Sequence, residues 1–478
     1  MDPLFEKLAS YMGGQITGDQ LKLITCILST YPSALLYRRL PPDQPMIKHI
    51  FSIAFTVLSM VGVLRLYEGF LHITMTCLVT YLFMKYYDGK NGPWINFVLV
   101  MTSMAACHID RQMKGVEGDG ELDYSGALMI VSIKLSSFGF NIRDGRMGAV
   151  TDYNKRMQIK QYPSWIEYFG WIFFFGGFLT GPTCEYMDYI RYTHYFFLSK
   201  DARLSPWPAT MRVLAKSLVI ILFLTLVAPS YSFVLALEPS FAAQSFLKRL
   251  WFVFVGATST RCKYYCVWSL SEGSCILSGF GYNGMDTKTG QHRWDRLSNY
   301  KLRYCELADS YKSLTNNWNI GANHWLKHYV YVRLVPPNTK PTTLATIITY
   351  VVSSVWHGFH PGYYLLFIST GLYQMLGRRI RRCVRPLVMS PDGKDPLPVL
   401  KPVYDVLGII FTVGTVNFLV PPFDLLYWSR TCQVWRALNF FHVWVYVIGW
   451  AMVLMVEPIL LERQKARQPK VVPKKAKQ

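Results

Sequence analysis

The sequence predicts an all-α protein that crosses a membrane repeatedly, as a polytopic helix bundle. Apolar residues make up 51% of the 478 residues, whereas charged residues reach only 17%, against roughly 25% in an ordinary soluble domain. Apolar stretches near the roughly 20 residues needed to cross a bilayer recur from end to end. The net charge of +21 favours basic loops at an anionic leaflet, and in so apolar a chain it does not indicate nucleic-acid binding.

The apolar stretches define the expected helices in chain order. The clearest lie at residues 50–70, 92–107, 165–182, 213–237, 343–357, 362–376, 403–422 and 438–460. Weaker ones, each interrupted by Pro, Gly or a charge, lie at 21–38, 68–86, 126–140 and 247–258. Together they predict about ten to twelve helices. Because no soluble-domain composition separates them, we expect one membrane domain over residues 1–461 and a basic tail over 462–478.

Four polar stretches interrupt this pattern. Residues 259–328 are too long and too aromatic to be an incidental loop in a compact protein, so we expect them to pack into the bundle. The other three are basic, and they lie at 141–164, at 377–402 and in the tail. Basic loops usually lie on the cytosolic side and so set the orientation of the protein in the membrane. The alternative is that some of these basic residues bind a polyanionic ligand. The final KKAKQ comes close to an endoplasmic-reticulum retrieval signal without matching it.

The ten cysteines do not predict a metal site. Cys262 and Cys266 form a Cys-x3-Cys spacing, but no matching second pair follows, as a structural zinc site requires. We therefore expect buried thiols, with no metal and no cofactor.

The stretch from Trp356 to Tyr363, WHGFHPGY, is the strongest candidate for chemistry. His357 ends an apolar helix where glycine and proline break the backbone, and irregular backbone at membrane depth is tolerated where it lines a cavity or is buried in protein. Neutral imidazole is also suited to abstract a proton near pH 7. The alternative is a structural histidine bonded to a helix carbonyl.

A second candidate stretch, residues 316–328, carries clustered asparagines. Asn319 and Asn323 would lie one turn apart on a helix, as would His324 and His328. A side-chain amide can stabilise a developing oxyanion without adding charge to an apolar site. Alternatively, the asparagines cap a helix, and the sequence leaves both interpretations open.

Two other interpretations fail on the residues present. The histidines at 324, 328, 357 and 360 resemble fragments of di-iron histidine boxes. That chemistry needs about eight imidazoles, including pairs of adjacent histidines. This chain has only ten histidines and no adjacent pair. The GFGYNG stretch at 279–284 fits a dinucleotide-binding pattern. It lacks the following helical period that such a site requires, so we interpret it as a glycine-rich turn.

These motifs together resemble the membrane-bound O-acyltransferases of the lysophospholipid acyltransferase branch. WHGFHPGY is similar to that branch's W-H-G-x-x-P-G-Y, and residues 261–268, RCKYYCVW, are similar to its R-x-K-Y-Y-x-x-W. GFGYNG, Trp294-Asp295, NNWN followed by WLK, YVYVR, and Gly181-Pro182 leading to Glu185-Tyr186 resemble further family stretches in the same order. The resemblance runs from about residue 20 to residue 460. The signature of sterol and diacylglycerol acyltransferases is not found.

The resemblance implies a bundle of about eleven helices around an intramembrane catalytic chamber in the endoplasmic reticulum. It also implies acyl transfer from acyl-CoA to the free hydroxyl of a lysophospholipid, with His357 as the catalytic histidine and Asn319 as the catalytic asparagine. His360 occupies a variable position and is expected to line the chamber. Weaker expectations of substrate contact fall on Trp356, His360, Trp318, Arg261, Lys263, Asn283 and Glu185.

Acyl-CoA, lysophospholipid and the bilayer are therefore the expected partners, nucleic acid is not, and an oligomer is compatible with the sequence. The alternative function is a lipid transporter or scramblase-like carrier, since broken helices and buried polar residues also mark substrate pathways. Against it, the spans lack the paired acids of ion coupling and the chain shows no internal duplication.

Overall fold

The computed structural model describes residues 2–11, 17–115, 122–336, 339 and 342–467. Helices dominate this part of the chain, and no strand forms within it beyond isolated bridges such as Met285 with His292. The predicted all-α fold class is confirmed. The tail predicted at 462–478 begins inside the last helix, and its residues 468–478 lie outside the described residues.

The first part of the chain forms helices α1 to α12. Their bounds are Asp2–Tyr11, Gly18–Arg39, Pro45–Val57, Tyr67–Tyr86, Gly92–Met113, Ser125–Met147, Asp152–Met157, Trp165–Ile172, Tyr186–Ile190, Trp207–Leu226, Pro239–Ala242 and Phe246–Ser278. A π-helical turn extends α3 over Leu58–Val63, and another follows α9 over Arg191–Tyr195.

The second part forms helices α13 to α21. Their bounds are Leu302–Glu306, Tyr311–Asn317, Ile320–Trp325, Thr343–His357, Pro361–Val384, Leu400–Leu419, Pro421–Leu425, Trp428–Ala437 and Phe441–Arg467. A π-helical turn over Leu326–Val330 follows α15.

Six segments of the described chain are long and apolar enough to cross a membrane. They are Pro45–Val63, Gly92–Met113, Ser125–Met147, Trp207–Leu226, Leu400–Leu425 and Phe441–Arg467. Helix α16 is apolar but has only 15 residues. The repeated apolar spans agree with the predicted polytopic bundle.

The span expected at residues 165–182 is wrong, because helix α8 stops at Ile172. The buried ammonium of Lys134 donates to the carbonyl oxygens of Trp171 and Ile172 at 2.9 and 3.1 Å, which satisfies acceptors that the ending helix exposes. The chain then turns tightly, and a Cβ on Gly177 would collide with the carbonyl oxygen of Pro182. The apolar residues after Ile172 therefore fill the core as an irregular segment.

The aromatic region after residue 259 packs as expected over residues 259–300. Helix α12 carries it to Ser278, and the Tyr265 ring stacks on Tyr300 with centroids 4.3 Å apart. Phe280 stacks on Tyr192 at 4.2 Å. Its aromatic side chains thus take part in a core and do not form a solvated linker.

The fold divides into two compact units. The first comprises the described residues within 1–229, 261–300 and 319–359, and the second comprises those within 230–260, 301–318 and 360–478. The core of the first unit centres on α6, on which Phe138 is fully buried against Tyr168 at 5.0 Å. The core of the second unit includes Tyr311, whose ring stacks on Tyr373 at 5.4 Å.

Candidate active site

Helix α16 ends inside the WHGFHPGY stretch. Its first turn is capped by Thr342, whose side chain accepts a hydrogen bond from the Ala345 N–H at 3.2 Å. Its last residue is His357, and the following Gly358 has a φ of +131°, a conformation that glycine adopts without steric cost. The imidazole therefore stands on the final turn of an apolar helix, as the sequence predicted.

The His357 ring is oriented by its own helix. Its Nδ1 atom lies 2.7 Å from the carbonyl oxygen of Ser353. Because a carbonyl oxygen can only accept, Nδ1 carries the proton, and in the neutral ring Nε2 keeps its lone pair. The bond expected of a structural histidine is thus present, but it leaves Nε2 in the state that a general base requires.

Trp356 fixes the end of α16 against α6. Its indole Nε1–H donates to the carbonyl oxygen of Met129 at 3.1 Å and lies 3.0 Å from the Ser132 hydroxyl. The carbonyl oxygen of Trp356 accepts a hydrogen bond from His108 Nε2 at 3.0 Å. Trp356 is therefore an anchor for the neighbouring His357. Sequence reasoning missed His108, which lies inside α5 without any motif around it.

Asn319 stands at the start of α15 in the left-handed conformation, with φ +43° and ψ +59°. Apart from glycine, asparagine is among the residues that adopt this conformation most readily. Its side chain makes no capping hydrogen bond, so the capping interpretation does not apply to this asparagine.

Asn299 sets the orientation of the Asn319 amide. The Asn299 Oδ1 accepts a hydrogen bond from the Gly321 N–H at 2.9 Å, which turns its Nδ2 group toward Asn319 Oδ1 at 3.1 Å. The backbone carbonyl of Asn299 also accepts from the Ile320 N–H at 2.8 Å. Within the described residues, the Asn319 Nδ2 hydrogens have no protein acceptor. Asn299 lies in no recognisable motif, so the sequence carried no signal for its role.

A tryptophan pair connects the two candidate elements within the first unit. Helix α15 rises about 9 Å from Asn319 to its last residue, Trp325, whose ring centroid lies 5.7 Å from that of Trp356. The Trp325 Nε1–H donates to the Ser136 hydroxyl on α6 at 2.8 Å. Both tryptophans are therefore bound to α6, which fixes the helix that follows Asn319 beside the helix that ends at His357.

Glu185 lies in a buried polar cluster. Its carboxylate oxygens accept hydrogen bonds from the Tyr153 hydroxyl at 2.9 Å and the Asn141 amide at 3.0 Å, and Asn141 in turn accepts from Tyr329 at 3.0 Å. Burial raises the pKa of Glu185 to about 7, assisted by the charge of Asp188 and opposed by these hydrogen bonds. This carboxyl can therefore hold a proton near neutral pH.

The remaining residues expected to contact substrate separate into different environments. Arg261 is buried whereas Lys263 is exposed. Residues two apart in a helix are rotated by about 200° around its axis and so point to opposite sides. The two side chains therefore do not form one anion site. The Asn283 amide donates to Asp295 Oδ1 at 2.8 Å, which closes the loop between residues 283 and 295.

Trp318 and His360 belong to the second unit, whereas His357 and Asn319 belong to the first. The His360 ring meets Tyr427 edge-on at 5.4 Å. Two residues later, the Gly362 N–H donates to the Leu426 carbonyl oxygen at 2.7 Å, and a Cβ on Gly362 would collide with the Pro422 carbonyl oxygen. Gly362 therefore has a packing function.

Comparison with known proteins identifies the family of the chain. Residues 70–420 match the membrane-bound O-acyltransferase family, and the chain belongs to that family. A lysophospholipid acyltransferase of Schizosaccharomyces pombe is 34% identical, over 94% of this chain and 88% of that protein. One of Saccharomyces cerevisiae is 30% identical, over 99% and 80%. Membrane-bound glycerophospholipid O-acyltransferase 1 of Mus musculus is 30% identical, over 96% and 94%.

Proposed function

We propose that this protein is a lysophospholipid O-acyltransferase, which moves a fatty acyl chain from acyl-CoA to the free hydroxyl of a lysophospholipid. The observation that carries the proposal is the hydrogen bond from His357 Nδ1 to the Ser353 carbonyl oxygen, which fixes the tautomer in which Nε2 carries the lone pair, at the end of an apolar helix. The names of the relatives from both yeasts and the family match support the same reaction.

In this mechanism, His357 Nε2 takes the proton of the lysolipid hydroxyl as its oxygen attacks the thioester carbonyl carbon. The Ser353 carbonyl oxygen stays bonded to Nδ1–H and favours the imidazolium that forms. The tetrahedral intermediate collapses by breaking the carbon–sulfur bond, and the imidazolium gives its proton to the departing CoA thiolate, which leaves as the thiol and returns His357 to its neutral form. No acyl-enzyme is needed, because thiolate is a good leaving group.

Asn319 contributes through its Nδ2–H group. With Oδ1 already accepting from Asn299, the Nδ2–H hydrogens remain to donate to substrate, where they stabilise the developing oxyanion or position the attacking hydroxyl. Its neutral amide adds no charge to an apolar chamber.

Acyl-CoA enters from the cytosol in this proposal, because its nucleotide is a polyanion that cannot enter hydrocarbon. The basic runs are expected on that side by charge bias, in an endoplasmic-reticulum membrane. In the run 377–402, Arg379 pairs with Glu457 at 2.7 Å and is assigned a structural function. The exposed Arg382 is a better candidate for attracting CoA.

The test is incorporation of labelled acyl chain into phospholipid. Microsomes that contain the wild-type protein should acylate added lysophospholipid with labelled acyl-CoA, and microsomes with equal amounts of His357→Ala should not. Lipid movement across the membrane without any incorporation would contradict the proposal and favour a carrier.

A further inference from the structure

Three metal-ligating side chains converge in the first unit, outside the stretches 316–328 and 356–363. They are His49 on α3, Glu167 on α8 and His194 in the π-helical turn after α9. One ligand atom from each lies within 4.8 Å of the other two, and the described chain holds no other cluster of this kind. The residues are far apart in sequence and fit no spacing motif, so the sequence predicted no metal.

The two imidazoles face each other at a distance that suits a shared ion. Their Nε2 atoms are 3.3 Å apart. Two nitrogens that each lie about 2.0–2.1 Å from one tetrahedral zinc ion are themselves about 3.3 Å apart. Glu167 Oε1 lies 3.8 Å from His194 Nε2, and all three ligand atoms lie within 4.8 Å of one another, so the carboxylate must move closer to join the two imidazoles as a third ligand.

The ligand atoms are oriented by partners outside the cluster. His49 Nδ1 lies 2.9 Å from the Tyr189 hydroxyl, which directs the opposite ring nitrogen toward His194. Glu167 Oε2 accepts hydrogen bonds from the N–H and hydroxyl of Ser164 at 2.8 and 2.9 Å, which leaves Oε1 toward the cluster. Such supporting hydrogen bonds are typical of metal ligands, whose orientation they fix.

The charges around the cluster act on a bound cation in opposite directions, because Lys48 opposes positive charge at His49 and His194 whereas Glu167 favours it. Lys48, beside His49, directs its ammonium to the Pro41 carbonyl oxygen at 2.7 Å and to the face of Phe197. The carboxylate of Glu167 supplies the negative charge that a dication needs. The side chains of His194 and Glu167 are 23% and 28% exposed, so water can reach the fourth coordination position.

We propose that His49, Glu167 and His194 bind a divalent transition-metal ion of the zinc class. Two imidazoles with one carboxylate suit zinc, whereas calcium and magnesium prefer oxygen ligands. The ion would link α3, α8 and the turn after α9. The alternative is a direct hydrogen bond between the imidazoles, which needs no ion.

The test uses the full-length protein purified in detergent, stripped with a chelator and reloaded with zinc. Wild-type protein should retain stoichiometric zinc after dialysis, and cobalt in its place should give the strong visible absorption of a tetrahedral site. The variant Glu167→Gln removes the carboxylate charge but keeps an oxygen that can accept the hydrogen bonds from Ser164. The variant His194→Ala removes one imidazole whose side chain is only half-buried, so the fold should tolerate the change. Both should weaken zinc binding at least about tenfold.

His72→Ala is the matched control. His72 also contacts a tyrosine hydroxyl, Tyr124 at 3.0 Å, but its Nε2 lies 2.8 Å from the hydroxyl of Ser103 and faces no second imidazole. This variant should retain zinc as the wild type does. Wild-type protein that loses its zinc on dialysis, a weak octahedral cobalt spectrum, or unchanged zinc affinity in both ligand variants would each overturn the proposal.

Discussion

His357 Nδ1 lies 2.7 Å from the carbonyl oxygen of Ser353, one turn earlier in the same helix. This contact fixes the tautomer of the imidazole, and because its acceptor is a backbone atom, substitution of the Ser353 side chain leaves it in place. The neighbouring Trp356 ring meets the imidazole edge-on at 4.7 Å and restricts its rotation. The orientation of the proposed base therefore depends on helix α16 and on the tryptophan that anchors it.

Asn319 offers a way to separate its chemical function from its backbone conformation. Asn319→Gly accepts the left-handed conformation, whereas Asn319→Ala pays roughly 1–2 kcal/mol for it. We expect both variants to lose acyl transfer by about 10²-fold or more, as when an oxyanion donor is removed. Only the alanine variant should also show a lowered thermal midpoint. Near-normal turnover in Asn319→Gly would show that the amide has no chemical function.

Asn299→Ala tests whether the Asn319 amide needs its neighbour. Loss of the bond at 3.1 Å frees the amide to rotate, so kcat should fall while the KM for acyl-CoA changes little. Asn154→Ala is the control, since both asparagines are 5% exposed and Asn154 lies on α7. If Asn299→Ala lowers kcat no more than Asn154→Ala does, Asn299 does not orient the Asn319 amide for catalysis. In the Asn299→Ala, Asn319→Gly double variant, the two losses should not add.

Glu185 should make the stability of the protein depend on pH. Its folded-state pKa of about 7 exceeds the ordinary value of 4.5 because of burial. The folded state therefore keeps a proton that the unfolded state releases, so stability should fall as pH rises from about 4.5 to about 7 and level off above that. The thermal midpoint of Glu185→Gln, measured in detergent across this pH range, should not show this fall.

Asp152→Asn serves as the comparison, because the Asp152 carboxyl is fully exposed on α7. It should keep the wild-type pH dependence. An identical slope in Glu185→Gln and wild type would assign the dependence to another group.

The arginines near the end of α17 provide a test of CoA attraction. Neutralising Arg381, Arg382 and Arg385 should raise the apparent KM for acyl-CoA at low ionic strength and leave kcat nearly unchanged. The effect should fade with added salt, since charge attraction is screened over about 8 Å at physiological ionic strength. Arg379→Gln should instead lower thermal stability, because it breaks the pair with Glu457. An unchanged KM at low salt, in a variant that is correctly oriented in the membrane, would show that these arginines only set the orientation of the protein.

The sequence predicted the local features of the site better than its tertiary ones. His357 could be located because a glycine breaks an apolar helix directly after it, a signal that lies within a few residues. Asn299 and His108 act through contacts with residues distant in sequence, and nothing around them indicated this. The span expected at 165–182 failed for the same reason: Lys134, on another helix, binds the carbonyl groups where α8 ends.

The proposed mechanism requires His357 to remove the proton of the lysolipid hydroxyl. Steady-state acyl transfer by purified His357→Ala, compared with wild type and with the exposed-histidine variant His292→Ala, tests it most directly. We predict a loss of kcat of at least about 10²–10⁴-fold for His357→Ala at unchanged protein level and thermal midpoint, with His292→Ala close to wild type. Near-normal turnover by folded His357→Ala would show that another group removes the proton.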